Sequence, residues 1–280
     1  YYLTNPWTRD GQVHAQVIQI NPRVSGPIVN LPIKDNQFVK AGELLFAIDP
    51  RTFQAAVDQA QADLQQAQVK AKDAKEEADR ARNIRKRDRG AMSQQQLERK
   101  ANDQSAAEAA VLGANAQLQQ AQLNLEFTDV KAPVDGYVTN LNLRLGSQAV
   151  ANQPALALID INSYWIHGYF REDRIEGVKA GDRAIVTLMS YPDRPLEGQV
   201  DSLGWGIAQD DGSTGYNLLP NINATFEWIR LAQRVPVRVH LIDPPKDIPL
   251  RVGTTASVMV MTGDNSNSEK PVPALPKALQ

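Results

Sequence analysis

Two rhythms of apolar and polar positions divide this chain. Over residues 13–20 apolar side chains partly alternate with polar ones, which predicts a strand. Pro22, Gly26-Pro27 and Pro32 cut the next stretch into short β segments, with turn chemistry at Asp35-Asn36-Gln37 and Lys40-Ala41-Gly42-Glu43. Asp49-Pro50 closes the block, because a residue before proline is pushed out of the helical region while proline itself suits a helix's first turn. From Phe53 the rhythm changes. Phe53, Val57, Ala60, Leu64, Ala67, Ala71, Ala74, Ala78 and Ala81 succeed one another in alternating steps of four and three, which is a heptad seam. Gly90-Ala91-Met92-Ser93 then reads as a helix stop, a turn and a serine N-cap, with Gln96 at the capping-box position. A second seam runs through Leu97, Ala101, Gln104, Val111, Ala114, Leu118, Ala121 and Leu125, with one irregular step near Glu108. The pattern predicts a long antiparallel coiled-coil hairpin over residues 51–128.

This hairpin interrupts a repeat. Val24-Ser25-Gly26-Pro27-Ile28-Val29-Asn30-Leu31 recurs as Val134-Asp135-Gly136-Tyr137-Val138-Thr139-Asn140-Leu141, and the copies run on to Leu45-Phe46-Ala47-Ile48-Asp49 and Leu156-Ala157-Leu158-Ile159-Asp160. Two such half-motifs predict one small β domain assembled from both arms of the hairpin. After it come strand patterns at residues 164–170, 184–189, 198–203, 235–241 and 256–261, with a short helix or turn over 171–178. Strands at that spacing, broken by Gly and Pro, predict a small barrel. Residues 206–224 read as a long polar loop and 263–280 as a disordered tail.

The hairpin sets the scale of the molecule. At about 1.5 Å per residue, its first helix reaches about 57 Å. Phe53, Val57 and Leu64 are expected to pack near the base against Leu118 and Leu125, whereas the distal seam of the first helix is alanine. Alanine buries little apolar area, so the distal hairpin is expected to be weakly self-stabilised and to pack against neighbouring copies.

Composition narrows the function. A chain of 280 residues with a net charge of −2 carries no global basic field for nucleic acid, and the absence of cysteine excludes disulfides and thiolate metal sites. No apolar run approaches the roughly 20 residues that span a bilayer. The first residue is Tyr1 rather than Met, which leaves room for a signal peptide or a membrane anchor ahead of it. His14, His167 and His240 lie on separate strand segments, without a neighbour at metal-ligand spacing, and read as strand or surface histidines. Nucleophile elbows, phosphate-binding loops and dinucleotide fingerprints are missing, and the carboxylates of Arg171-Glu172-Asp173-Arg174 read as a solvated turn. No catalytic, cofactor or metal site is expected.

Charge does concentrate at the hairpin's far end. Arg80, Arg82, Arg85, Lys86, Arg87 and Arg89 stand beside the turn against Asp88. Cations near a helix C-terminus complement its dipole, which accounts for part of the cluster. Its density on a projecting tip marks Arg82, Arg85, Lys86, Arg87, Arg89 and Ser93 as a candidate docking surface.

The half-motifs resemble those of biotinyl and lipoyl carrier domains. Those domains present a modifiable lysine where this chain inserts its hairpin, and no lysine is placed there. Half a lipoyl motif, a heptad hairpin, the second half and a barrel is the module order of membrane fusion proteins, or periplasmic adaptors, of the hemolysin-secretion D and multidrug-resistance A types. Asn5-Pro6-Trp7-Thr8-Arg9-Asp10-Gly11, residues 35–42, Val130-Lys131-Ala132-Pro133 and residues 227–237 resemble the branch that contains aromatic-acid exporter adaptors. The resemblance implies an α+β multidomain chain: a lead and first strand at 1–20, a split lipoyl-like domain at 21–50 and 129–161, the hairpin at 51–128, a barrel at 162–262 and the tail. It implies a periplasmic body anchored in the inner membrane before Tyr1, with no enzymatic activity. It also implies an inner-membrane transporter, an outer-membrane channel and further copies of the chain, as trimer or hexamer, for partners. Adaptors of tripartite multidrug pumps carry an Arg, Leu and Ser pattern at the tip. Arg82 and Ser93 match its separation, but Lys86 stands at the Leu position. A type I protein-secretion adaptor and a cell-envelope structural or ligand-binding protein are the alternatives.

Overall fold

The computed structural model describes residues 5–204 and 234–262. The expected loop at 206–224 and tail at 263–280 lie outside the described residues. Two compact units emerge, Val17–Ile159 and a second formed by Tyr1–Gln16 with Asp160–Gln280.

Within Val17–Ile159 the sequence repeat becomes a two-fold fold. Strands β2 (Val17–Ile20), β3 (Gly26–Asn30), β4 (Phe38–Val39) and β5 (Leu44–Ile48) precede the hairpin, and β6 (Asp129–Lys131), β7 (Gly136–Thr139), β8 (Gln148–Ala149) and β9 (Leu156–Asp160) come after it. They form two four-stranded sheets, ordered β2-β9-β7-β4 and β6-β5-β3-β8. Each half thus lends its short middle strand to the other half's sheet, Phe38 pairing with Tyr137 and Gly26 with Ala149.

Hydrogen bonds repeat the exchange. Ala41 N–H donates to the Asp135 carboxylate and Ala151 N–H to the Ser25 hydroxyl, while Gly42 N–H reaches the Ala132 carbonyl and Asn152 N–H that of Pro22. The turns need left-handed backbone at corresponding places, met by Asn36 and Gly146 and by Gly42 and Asn152. Ile28 and Val138 are buried in one core with Leu45, Phe46, Ile48, Leu156 and Leu158, so the two half-motifs do build one domain. Gly26 is required by packing, since a Cβ there would lie 2.5 Å from Ile48 Cγ2.

The hairpin consists of α1 (Arg51–Arg87) and α2 (Gln94–Glu126). Every residue of the expected α1 seam is buried or half-buried. In α2 the seam holds its step through half-buried Ala107 while Glu108 is exposed, so the irregularity expected near Glu108 is not a break in the packing. Leu64, Ala60 and Leu118 form the hairpin's own core, with Val57, Val111, Ala114 and Ala121 against it. Phe53 packs elsewhere than expected. It joins the β core together with Phe127, because both helix ends enter the domain there. The distal alanines are also not a face left open: Ala78 and Ala81 are only 1% and 3% exposed, so the small side chains let the two helices close on each other.

The other unit is a closed six-stranded barrel of β1 (Trp7–His14), β10 (Trp165–Arg171), β11 (Arg183–Leu188), β12 (Leu196–Leu203), β13 (Arg234–Leu241) and β14 (Thr255–Val260), in the order β1-β10-β13-β12-β11-β14. Val13, Ile166, Phe170, Val186, Val200, Val237, Val239 and Val258 fill it. The strand expected over 13–20 is in fact two, since the chain leaves the barrel after His14 and enters the sheet of β9 at Val17. Residues 1–20 are therefore not a single lead: β1 is the barrel's closing strand. Gly11 permits that closure, because a Cβ there would sit 2.6 Å from the Ala256 carbonyl oxygen. The short helix or turn expected over 171–178 is one 3-10 turn, Glu172–Arg174, where Arg171 pairs with Asp173.

Candidate functional site

The hairpin tip is built by helix-end chemistry. α1 stops at Asp88, whose backbone is extended, and Asp88 Oδ1 accepts from Gly90 N–H at 2.8 Å. α2 starts with the full capping box: Ser93 Oγ accepts from Gln96 N–H, and Gln96 Oε1 accepts from Ser93 N–H. The Ser93 hydroxyl is thus committed to holding the turn.

The six cations of the cluster do not share one environment. Arg82 bonds Asp79 Oδ1 at 2.7 Å and reaches across to Gln104 Oε1 at 2.8 Å, so it ties α1 to α2. Lys100 crosses the same gap to Glu77 at 2.5 Å; this bond holds the Glu77 carboxyl below, and the Lys100 ammonium above, their ordinary ranges. Arg85 continues the seam one step beyond Ala81. It is half-buried, and its Nη1 is buried without a hydrogen-bond partner. Lys86, Arg87 and Arg89 are exposed, and among the described residues none of them pairs with a carboxylate. The density read from the sequence therefore resolves into a cross-hairpin brace at Arg82, an exposed Arg80 that acts on Glu77, and an unpaired group at Arg85, Lys86, Arg87 and Arg89. What the sequence concealed was the carboxylates one turn back, Glu77 and Asp79, which neutralise the base of the cluster.

Two other features bear on function. Among the described residues no group of His, Cys, Asp or Glu has the geometry to hold a metal ion, and no helix is long and apolar enough to cross a membrane. The histidines, which the sequence scattered over separate strands, come together on one face of the barrel.

An interlocked β domain split by a hairpin, with a closed barrel in the same chain, defines a class of protein. Residues 16–161 match the RND MFP barrel-sandwich hybrid domain and residues 163–261 the AAEA-like β-barrel domain. The chain belongs to the membrane fusion, or periplasmic adaptor, proteins, a family of adaptors rather than enzymes. It is 42% identical over 260 residues to the uncharacterised protein YdhJ of Escherichia coli K12, covering 93% of this chain and 90% of that one. In fold it is similar to a MacA-MexA chimera carrying the Pseudomonas aeruginosa MexA α-hairpin, with a TM-score of 0.65, 24% identity and coverage of 94% and 84%. It is also similar to the periplasmic adaptor EmrA, with a TM-score of 0.51, 17% identity and coverage of 94% and 100%.

Proposed function

We propose that this chain is the periplasmic adaptor subunit of a bacterial export system, which joins an inner-membrane transporter to an outer-membrane channel by assembling into a closed conduit. Physical need supports the assembly. An exporter that releases cargo into an aqueous gap loses it, and a ring of identical subunits encloses that gap. The observation that carries the reading is the hairpin itself, two helices of 37 and 33 residues ending in exposed, unpaired cations. A projecting arm with a charged end is a docking device; nothing in it is arranged to bind and transform a small molecule.

The ring, a trimer or hexamer, takes its lateral contacts from outer hairpin positions such as Val69, Leu112 and Leu123, which are exposed apolar residues, since the alanine seam is already used within the chain. Family resemblance alone supports an inner-membrane anchor ahead of Tyr1. The functional parts divide accordingly: the split β domain, which takes in β2, and the barrel, which takes in β1, are the body, and 51–128 is the arm. The docking surface is Arg85, Lys86, Arg87 and Arg89, with Arg82 and Ser93 fixing the turn that presents them.

Charge reversal tests the tip. Exposed pairs contribute little singly, so one substitution has a small effect, whereas Arg85, Lys86, Arg87 and Arg89 all changed to Glu convert attraction to repulsion. Export is expected to fail while the helices persist by circular dichroism. Unchanged export by a folded quadruple variant would remove the tip from the account.

A further inference from the structure

The chain has three histidines, and the barrel gathers all of them on one outer face. On β1 and β10, His14 faces Trp165; on β10 and β13, Trp165 faces His240 and His167 faces Arg238. The alternate residues Val13, Ile166, Val237 and Val239 point into the barrel core. Strand alternation thus puts the whole polar and aromatic set on the outside. His14 stacks on Trp165 with ring centroids 5.8 Å apart and lies 4.8 Å from His167. The Arg238 guanidinium sits 4.3 Å over the Trp165 ring.

Positive charge has little to compensate it there. From β12, Asp201 meets His240 Nδ1 at 2.5 Å and lies 3.6 Å from Arg238 Nε, so it is shared between two groups. Tyr169 closes the far side of His167. The remaining carboxylates near these strands are engaged, Asp10 of β1 by Arg234 and Glu197 of β12 by Arg183. On the side of β14, Thr255 and Ala256 lie opposite Gln12 and Gly11, and neither titrates. His14 Nε2, Trp165 Nε1 and Arg238 Nε are buried without a hydrogen-bond partner. Burial, then His14, then Arg238 hold the His167 imidazole below its ordinary range.

We propose that this face is a proton-responsive clasp: protonation of His167, packed against His14 and opposite Arg238, loosens β1 from β10 and opens the closing strand of the barrel. β1 is the strand to yield. It gives the barrel interior only Gly11 and Val13, and its register with β14 shifts between Thr8 and Gly11. Linkage sets the sign. Above pH of about 6.5 His167 is neutral whether the clasp is closed or open, and closure is fully favoured. As pH falls below that value the open form takes protons first, and closure weakens until the closed form is protonated too. The clasp is therefore shut at neutral pH and loosened by acid. It does not depend on the adaptor reading, because it concerns only the barrel.

Hydrogen exchange and histidine NMR on the full chain decide it. Amides of β1 and β10 are compared at pH 7.5 and pH 5.5 after correction for the intrinsic exchange rate, with β11 as reference. The lower proton affinity of the closed form makes β1 and β10 lose protection relative to β11 at pH 5.5 against pH 7.5, and that relative loss is the expected result. His167→Gln removes the acid-induced loss, and His14→Gln, which takes away the neighbouring imidazole but not the burial, diminishes it. His14→Arg, a permanent cation, loosens β1 already at pH 7.5, and in His14→Gln the His167 titration moves upward. Equal β1 protection at both pH values in the parent, or an undiminished acid effect in the Gln variants, would overturn the proposal.

Discussion

Replacing Leu118 with Ala should weaken the hairpin more than any other truncation in α2. Leu118 is the most buried residue of that helix, at 7% exposure, and with Leu64 it supplies the leucine bulk of the hairpin core. The other members are valine and alanine, so no larger side chain can swing in to refill the space. Leu to Ala in a core costs about 2–5 kcal/mol, the upper end where the surroundings cannot collapse. Two helices with solvent on both flanks can close partly on the gap, which places the expected loss at about 2–3 kcal/mol. With a urea slope of about 2 kcal/mol/M, the unfolding midpoint falls by about 1–1.5 M. Far-UV circular dichroism reads the helices, while the four tryptophans, Trp7, Trp165, Trp205 and Trp228, all lie outside residues 17–159 and report separately by fluorescence. A helix-monitored shift below about 0.25 M would refute the idea that this leucine pair holds the arm together.

Other outcomes are equally specific. Gly26→Val forces a side chain into the 2.5 Å approach of Ile48, and over-packing of about 1–3 kcal/mol should appear as a lowered thermal midpoint. Ser93→Ala removes half of the capping box and should cost about 1 kcal/mol, seen as faster exchange of the Gln96 amide than of amides in mid-α2. Because the His167 pKa is lowered in the fold, barrel stability should decline as pH drops below about 6.5, and His167→Gln should flatten that slope in thermal melts.

Much of this architecture was legible in the residues because strong periods leave little choice. A heptad seam kept from Phe53 to Ala81 calls for a partner helix along one face, and the Ser93 and Gln96 pair names the start of that partner. The repeat around Gly26 and Gly136 predicted a shared domain for the same reason: both copies need the same turns. The exchange of β4 and β8 between sheets was not legible, since two-residue strands carry no period. β1 escaped as a barrel strand because its inward side offers only Gly11 and Val13, a signal too weak to separate from a lead segment. Arg82 looked like an open tip cation because its partners are one turn back, at Asp79, and on the other helix, at Gln104. The histidine face was hidden altogether. Its members are distant in sequence, and only the register of β1, β10 and β13 brings them together.

The adaptor account turns on what the hairpin tip touches in the cell. The chain lacks cysteine, so a single one introduced at Arg87 of the exposed tip, or at Gln61 nearer the base of α1, is unique. With a short bifunctional crosslinker in cells producing the full system, Arg87→Cys should capture the outer-membrane channel and Gln61→Cys should not. The account is contradicted if the tip cysteine captures no channel in cells that export, or if both positions capture it equally.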